Sequence, residues 1–230
     1  VLQALAKLQA DQPEPLARCL HTLTHIYDAL GQTEAADASR AQALEIIEKL
    51  WGSHTLAYGE VVANMAESLM AQQRNQEAAA FFKRAAASFA ACVPQDDPRW
   101  VGCLLGQLIC LRDSGQLELA SQLGREVLET WQAHHPEMRR WLNEFGLIAF
   151  LAKNYEEAAS VFERSMQLPG DLPMPTRISI LFNLGSAHMG AGDHQKSLLV
   201  LESCADLAEE HLPTEHQLTE RIWLQLQELY

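Results

Sequence analysis

The sequence predicts an all-α protein made of stacked antiparallel helix pairs, and three observations predict it. A short motif recurs along the chain, each copy is flanked by apolar residues at helical spacing, and all nine prolines fall where helices would begin or end. The motif copies are Leu30-Gly31-Gln32-Thr33-Glu34-Ala35-Ala36, Asn75-Gln76-Glu77-Ala78, Gly115-Gln116-Leu117-Glu118-Leu119-Ala120, Lys153-Asn154-Tyr155-Glu156-Glu157-Ala158 and Gly192-Asp193-His194-Gln195-Lys196-Ser197. Aligned on their small residues Ala36, Ala78, Ala120, Ala158 and Ser197, they lie 42, 42, 38 and 39 residues apart.

Each unit reads as two amphipathic helices joined by a short turn. In the first helix the apolar positions are Leu20, Leu23 and Tyr27, then Val62, Met65 and Leu69, Leu104, Leu108 and Leu111, Leu142, Phe145 and Ala149, and finally Leu181, Leu184 and His188. Ala66, Gly146 and Gly185 are small where two helices must approach closely, with Thr24 and Leu108 as bulkier exceptions. The second helices continue from the aligned small residue to Phe82 and Ala85, Gly124 and Val127, Phe162 and Ser165, and Leu201 and Cys204. A proline in a helix interior costs about 3 kcal/mol, so a sound parse keeps every one outside. Pro13, Pro15, Pro94, Pro98, Pro136, Pro169, Pro173, Pro175 and Pro213 all sit at junctions or in a first turn.

This pattern resembles the tetratricopeptide repeat family, in which the first helix carries a large residue, Leu, a small residue and Tyr, and the second carries Ala, an aromatic and Ala. The 42-residue period is similar to that of the kinesin-light-chain variety and its bacterial relatives, as are the junction segments Asp96-Asp97-Pro98 and His134-His135-Pro136. Arg40 and Gly124 depart from the pattern, standing where it has an aromatic. The resemblance implies a right-handed superhelix, an α-solenoid, over 1–230. Its parts are a partial repeat at 1–12, repeats at about 14–54, 55–96, 97–135, 137–171 and 174–212, and a capping or partial repeat at 214–230. Val1 to Leu20 aligns without a gap with Ala43 to Val62, and Trp223, Leu226 and Tyr230 repeat first-helix spacing, so the chain is expected to be a piece of a longer protein. Glu215, His216, Glu220, Arg221, Gln225 and Glu228 are expected to form a polar cap.

The resemblance also implies that first helices line a concave, peptide-binding face. On it fall Arg18, His21, His25 and Asp28; Glu60, Ala63, Asn64 and Glu67; Leu105, Ile109 and Arg112; Arg140, Asn143, Leu147 and Phe150; and Phe182, Asn183, Ser186 and Met189. Asn64, Asn143 and Asn183 match asparagines that hydrogen-bond an extended peptide backbone in the family; an amide offers both donor and acceptor. Leu105, Ile109, Leu147, Phe150, Phe182 and Met189 would supply apolar anchors. His21, His25 and Asp28 share one helical face, a metal-like set with no evident fourth ligand, read instead as solvated or peptide-contacting.

Other functions are disfavoured. With 17 Lys plus Arg against 30 Asp plus Glu, the formal charge is −13, which repels nucleic acid and anionic membranes. Phosphate loops, nucleophile elbows and paired Cys and His are lacking, so neither enzyme chemistry nor a cofactor is expected. Glu156-Glu157 and Glu209-Glu210 read as solvated carboxylates, and Trp51, Trp100, Trp131, Trp141 and Trp223 as packing at helix ends. Five scattered cysteines without a CxxC pair fit reduced thiols in the cytoplasm. The function expected is a protein-interaction scaffold for a peptide or partner segment of unknown identity. The alternatives are an effector- or peptide-sensing module of a larger bacterial signalling protein, and an oligomerisation arm that self-associates through terminal repeats.

Overall fold

The computed structural model describes residues 13–131, 135–213 and 216–230, without the side chains of residues 13, 14, 16–18 and 21. The partial repeat expected at 1–12, His134, Glu215 and the side chains of Arg18 and His21 lie outside the described residues. The described residues form helices and no strands. The chain divides into two compact units, Val1–Ser114 and Gly115–Tyr230.

The first unit holds α1 (Pro13–Ala29), α2 (Thr33–Trp51), α3 (Leu56–Ala71), α4 (Asn75–Ala90) and α5 (Pro98–Asp113). The second holds α6 (Leu117–Thr130), α7 (Met138–Leu151), α8 (Tyr155–Gln167), α9 (Met174–Gly190), α10 (His194–His211) and α11 (Gln217–Leu229). Within each unit every helix packs against its neighbour in sequence. The division falls between α5 and α6, so the stretch 97–135 read as one repeat contributes a helix to each unit.

Four of the five motif copies show a turn of one hydrogen-bonded design. Gln32 N donates to Tyr27 O at 2.9 Å, Arg74 N to Leu69 O at 3.0 Å, Asn154 N to Ala149 O at 2.8 Å and Asp193 N to His188 O at 3.0 Å. The residue before each donor is left-handed, with φ of 69° at Gly31, 60° at Gln73, 62° at Lys153 and 80° at Gly192. This six-to-one closure satisfies carbonyls that the helix end would otherwise orphan. Four residues beyond each donor the chain is helical again, and the aligned Ala36, Ala78, Ala120, Ala158 and Ser197 are fully buried. Helix starts at the junctions are capped separately: Thr55 Oγ1 accepts from Tyr58 N at 3.4 Å, and the Asp97 carboxylate accepts from Arg99 N at 2.9 Å beside Pro98. All nine prolines stay out of helix interiors.

The small first-helix residues mark contacts that a side chain would block. A Cβ on Gly146 would lie 2.6 Å from the Phe162 ring, and one on Gly185 2.6 Å from Leu201 Cγ. Gly106 faces the Phe82 ring in the same way, at 2.6 Å. At the position where Gly124 replaces the expected aromatic, the Phe145 ring fills the space, and Trp141 Nε1 donates to Gly124 O at 3.2 Å. Trp141 is fully buried, with Trp131 beside it at 5.3 Å between ring centroids, so these two tryptophans are core. The expected polar cap is only partly polar. Arg221, Glu220 and Glu228 are exposed on α11, but so are Trp223 and Leu224.

Two substitutions test this account. Gly146→Ala is expected to destabilise the chain by about 1–3 kcal/mol through the Phe162 clash, read from urea unfolding. Lys153→Gly is expected to stabilise it by about 0.5–1 kcal/mol by relieving a left-handed lysine.

Candidate functional site

The surface of α1 and α3 in the first unit is built around a buried charge. Arg40, on α2 where the repeat pattern has an aromatic, is 3% exposed. Its guanidinium bonds Asp28 Oδ2 at 3.1 Å and, more closely, the Asp37 carboxylate. Ser68 Oγ donates to the same Asp28 Oδ2 at 2.9 Å, tying α1 to α3. Arg74 makes a two-point pair with Asp37 at 2.8 and 2.9 Å and a second with Glu77 at 2.7 and 2.6 Å. Such fork-to-fork pairs fix direction as well as charge. Hydrogen bonding by Arg74, aided by Arg40, holds the Asp37 carboxyl below the usual carboxylate range.

Asp28 is therefore not the exposed partner of two histidines that its place on the helical face suggests. Its side chain is 9% exposed, Oδ2 is committed to Arg40 and Ser68, and Oδ1 is buried with no hydrogen-bond partner. His25 stays exposed. No group of three or more His, Cys, Asp or Glu among the described residues could hold a metal ion.

Beside Asp28 an open cleft of about 590 Å³ lies between α1 and α3, lined by His25, Asn64, Glu67, Ser68 and Gln72 with the alanines Ala29 and Ala71. The expected first-unit residues His25, Asn64 and Glu67 thus come together. Asn64 and Glu67 are exposed and have no hydrogen-bond or ion-pair partner among the described residues. Gln72 Nε2 donates to Ser68 Oγ at 3.2 Å, so the floor is a connected chain from Gln72 through Ser68 to Asp28. On α5, Ile109 is half-buried, Arg112 bonds Asp113 at 2.8 Å, and Leu105 is buried, which removes Leu105 as an exposed anchor. Burial, assisted by the Glu67 carboxylate, pushes the Cys103 thiol up to about 12.

In the second unit the expected face is mostly used for packing. Phe182 is buried under α11 among Ile178, Ile222 and Leu226, with Arg221 over its ring at 4.7 Å. Ser186 is buried too, its hydroxyl 2.8 Å from Phe182 O and 2.9 Å from Gln225 Oε1. Neither side chain is an open contact. Asn143 is half-buried and accepts from Ser165 Oγ at 2.8 Å, which binds it to α8. Leu147 and Phe150 pack partly on the Ala149–Phe162–Leu184 cluster, and Phe150 meets Tyr155 edge-on at 5.4 Å. Arg140 is exposed; Asn183 and Met189 are half-buried. A second cleft, lined by Glu156, Ser160, Glu163, His188, Asp193 and Lys196, leaves no mark in the sequence pattern, where His188 has the spacing of a packing position. His188 is indeed buried, yet its Nε2 lies 3.6 Å from Glu163.

Repeated hairpins, a common turn and a small residue facing a ring decide what the chain is similar to. The fold is that of the tetratricopeptide repeat. Residues 178–211, spanning most of α9 and all of α10, match the family described as tetratricopeptide repeat. Among solved structures, the nearly identical TPR-like repeats of a kinesin light chain from Podosopora anserina align with 88% of this chain and 100% of theirs, at 20% identity and a TM-score of 0.64. BtubC (BKLC) from P. vanneervenii aligns over 94% of this chain and 91% of its own at 17% identity, TM-score 0.62. YrrB, a TPR protein with an unusual peptide-binding site, aligns over 89% and 90% at 16% identity, TM-score 0.58. A search of the curated proteins returns no match. Tetratricopeptide repeats are in general scaffolds for protein interaction, and no helix among the described residues is long and apolar enough to cross a membrane.

Arg40→Ala is expected to cost about 3–5 kcal/mol by stranding the buried Asp28 carboxylate, whereas Arg40→Leu with Asp28→Ala should recover much of that loss in chemical unfolding. Asp37 has a lowered folded-state pKa, so its contribution is complete above the ordinary carboxylate value and is lost as pH falls through the lowered one. The thermal midpoint of the wild type is therefore expected to drop below about pH 4, and by less in Arg74→Ala.

Proposed function

We propose that this chain is a protein-interaction scaffold that binds an extended segment of a partner protein on the first helices of its repeats, chiefly on the α1–α3 face of the first unit. The observation that carries this reading is the open cleft in which Asn64 and Glu67 stand exposed with no partner among the described residues. An amide at the mouth of a preformed cleft can donate to and accept from a peptide bond without selecting its side chain. The cleft is already shaped, so little ordering opposes binding. The likeness to YrrB, a TPR protein with an unusual peptide-binding site, supports the same reading. In the second unit Asn183 is the remaining amide contact, because Asn143 is engaged by Ser165. A reducing, cytoplasmic setting suits five cysteines that are all free, with Cys19 and Cys92 exposed.

A second reading, an arm that associates with a copy of itself, is favoured by Trp223 and Leu224, 43% and 61% exposed on α11. Sedimentation separates the two: a concentration-dependent dimer abolished by Trp223→Ser supports the arm.

For the scaffold, the labelled chain is expected to be retained at discrete spots of an array of random octapeptides. Asn64→Ala, with unchanged helicity, should reduce that retention about fivefold, near the 1 kcal/mol of one hydrogen bond. Equal retention of variant and wild type removes the α1–α3 face from the proposal.

A further inference from the structure

We propose that the α1–α3 cleft is the seat of a basic side chain, a lysine or arginine carried by the extended partner segment; the proposal rests on the scaffold reading and names the chemistry of what it binds.

The first ground is an acceptor left without a donor. Asp28 lines the cleft with its side chain nine-tenths buried, and its Oδ1 has no hydrogen-bond partner while Oδ2 takes both Arg40 and Ser68. A buried carboxylate oxygen without a donor is costly, and an ammonium or guanidinium brings several donors at once. The second ground is an excess of carboxylates over guanidinium groups among the described residues. Among the described residues, the carboxylates of Asp28, Asp37 and Glu77 around Arg40 face two guanidinium groups, those of Arg40 and Arg74. Glu67 adds a further carboxylate across the cleft, with no ion pair among the described residues. The whole chain carries −13, so a basic segment is drawn toward it before any contact forms. The third ground is the lining. Ala29 and Ala71 leave room for an aliphatic stem between the polar groups, while Asn64 stands at the same cleft to hold the backbone from which that stem projects. An acidic side chain is repelled here, and an apolar one gains the stem contact but leaves Asp28 Oδ1 and Glu67 unpaired.

The experiment uses the isotopically labelled 230-residue chain and follows the Asn64 side-chain amide by NMR. The probes are four acetylated, amidated Gly/Ser/Ala octapeptides with lysine, arginine, norleucine or glutamate at the centre, together with spermidine as a cation not borne on a peptide. The lysine and arginine peptides are expected to shift the Asn64 resonance saturably, and the norleucine and glutamate peptides to bind at least fivefold more weakly. Glu67→Gln, whose side chain is exposed, should weaken the lysine peptide about fivefold at low salt and leave the thermal midpoint unchanged. Norleucine binding as tightly as lysine, or an unchanged lysine affinity in Glu67→Gln, overturns the proposal and leaves the scaffold reading standing. Spermidine shifting the site where the lysine peptide does not also overturns it, in favour of a free polyamine. Failure of every peptide to bind removes both the proposal and the scaffold reading.

Discussion

The close approach of helix backbones at small residues is the constraint on which this architecture depends. Where Gly146 meets Phe162, Gly185 meets Leu201 and Gly106 meets Phe82, no side chain fits on the glycine. The ring or branched chain that fills each gap therefore has a fixed depth, and that depth sets how far apart the helices stand. The surfaces of α5, α7 and α9 inherit their positions from these contacts. A site on such a scaffold needs little flexibility of its own, because the backbones that carry it are set by van der Waals exclusion.

Arg40 shows what happens when the repeat abandons its aromatic. A guanidinium in that place needs its charge met, and Asp28 and Asp37 meet it through the two terminal nitrogens, with Arg74 and Ser68 at one remove, while Nε stays buried without a hydrogen-bond partner. Replacing a ring by an ion pair gains directionality at the expense of desolvation. The gain is a specific register among α1, α2, α3 and the start of α4, all of which contribute to one network. Gly124 solves the same vacancy by the opposite means, inviting Phe145 and the Trp141 indole into the space.

Much of this was legible in the residues. The turn motif, the buried small positions and the placement of all nine prolines followed from spacing alone, because a hydrogen-bonded turn and a close helix contact each admit few residue types. The cleft residues His25, Asn64 and Glu67 were also on the expected face. What escaped were facts of three-dimensional partnership. Asp28 shares a helical face with His25, but only the fold shows that Arg40 reaches it from the next helix. Phe182 has the spacing of a groove residue, and only the packing of α11 shows it covered. Asn143 and Asn183 look equivalent in sequence, yet Ser165 occupies the first.

The turns between paired helices have a kinetic consequence. Each closes over a handful of residues, and each helix finds its packing partner immediately before or after it in sequence. Loop closure of that length takes roughly 10–100 ns, so little chain entropy is spent before the first apolar contacts form. Any hairpin can serve as a nucleus, and growth proceeds by docking of the next helix onto an edge already built. Folding of this kind needs no distant segment of the chain, which suits a scaffold whose length can change by whole hairpins while each remaining one keeps its own route to the native state.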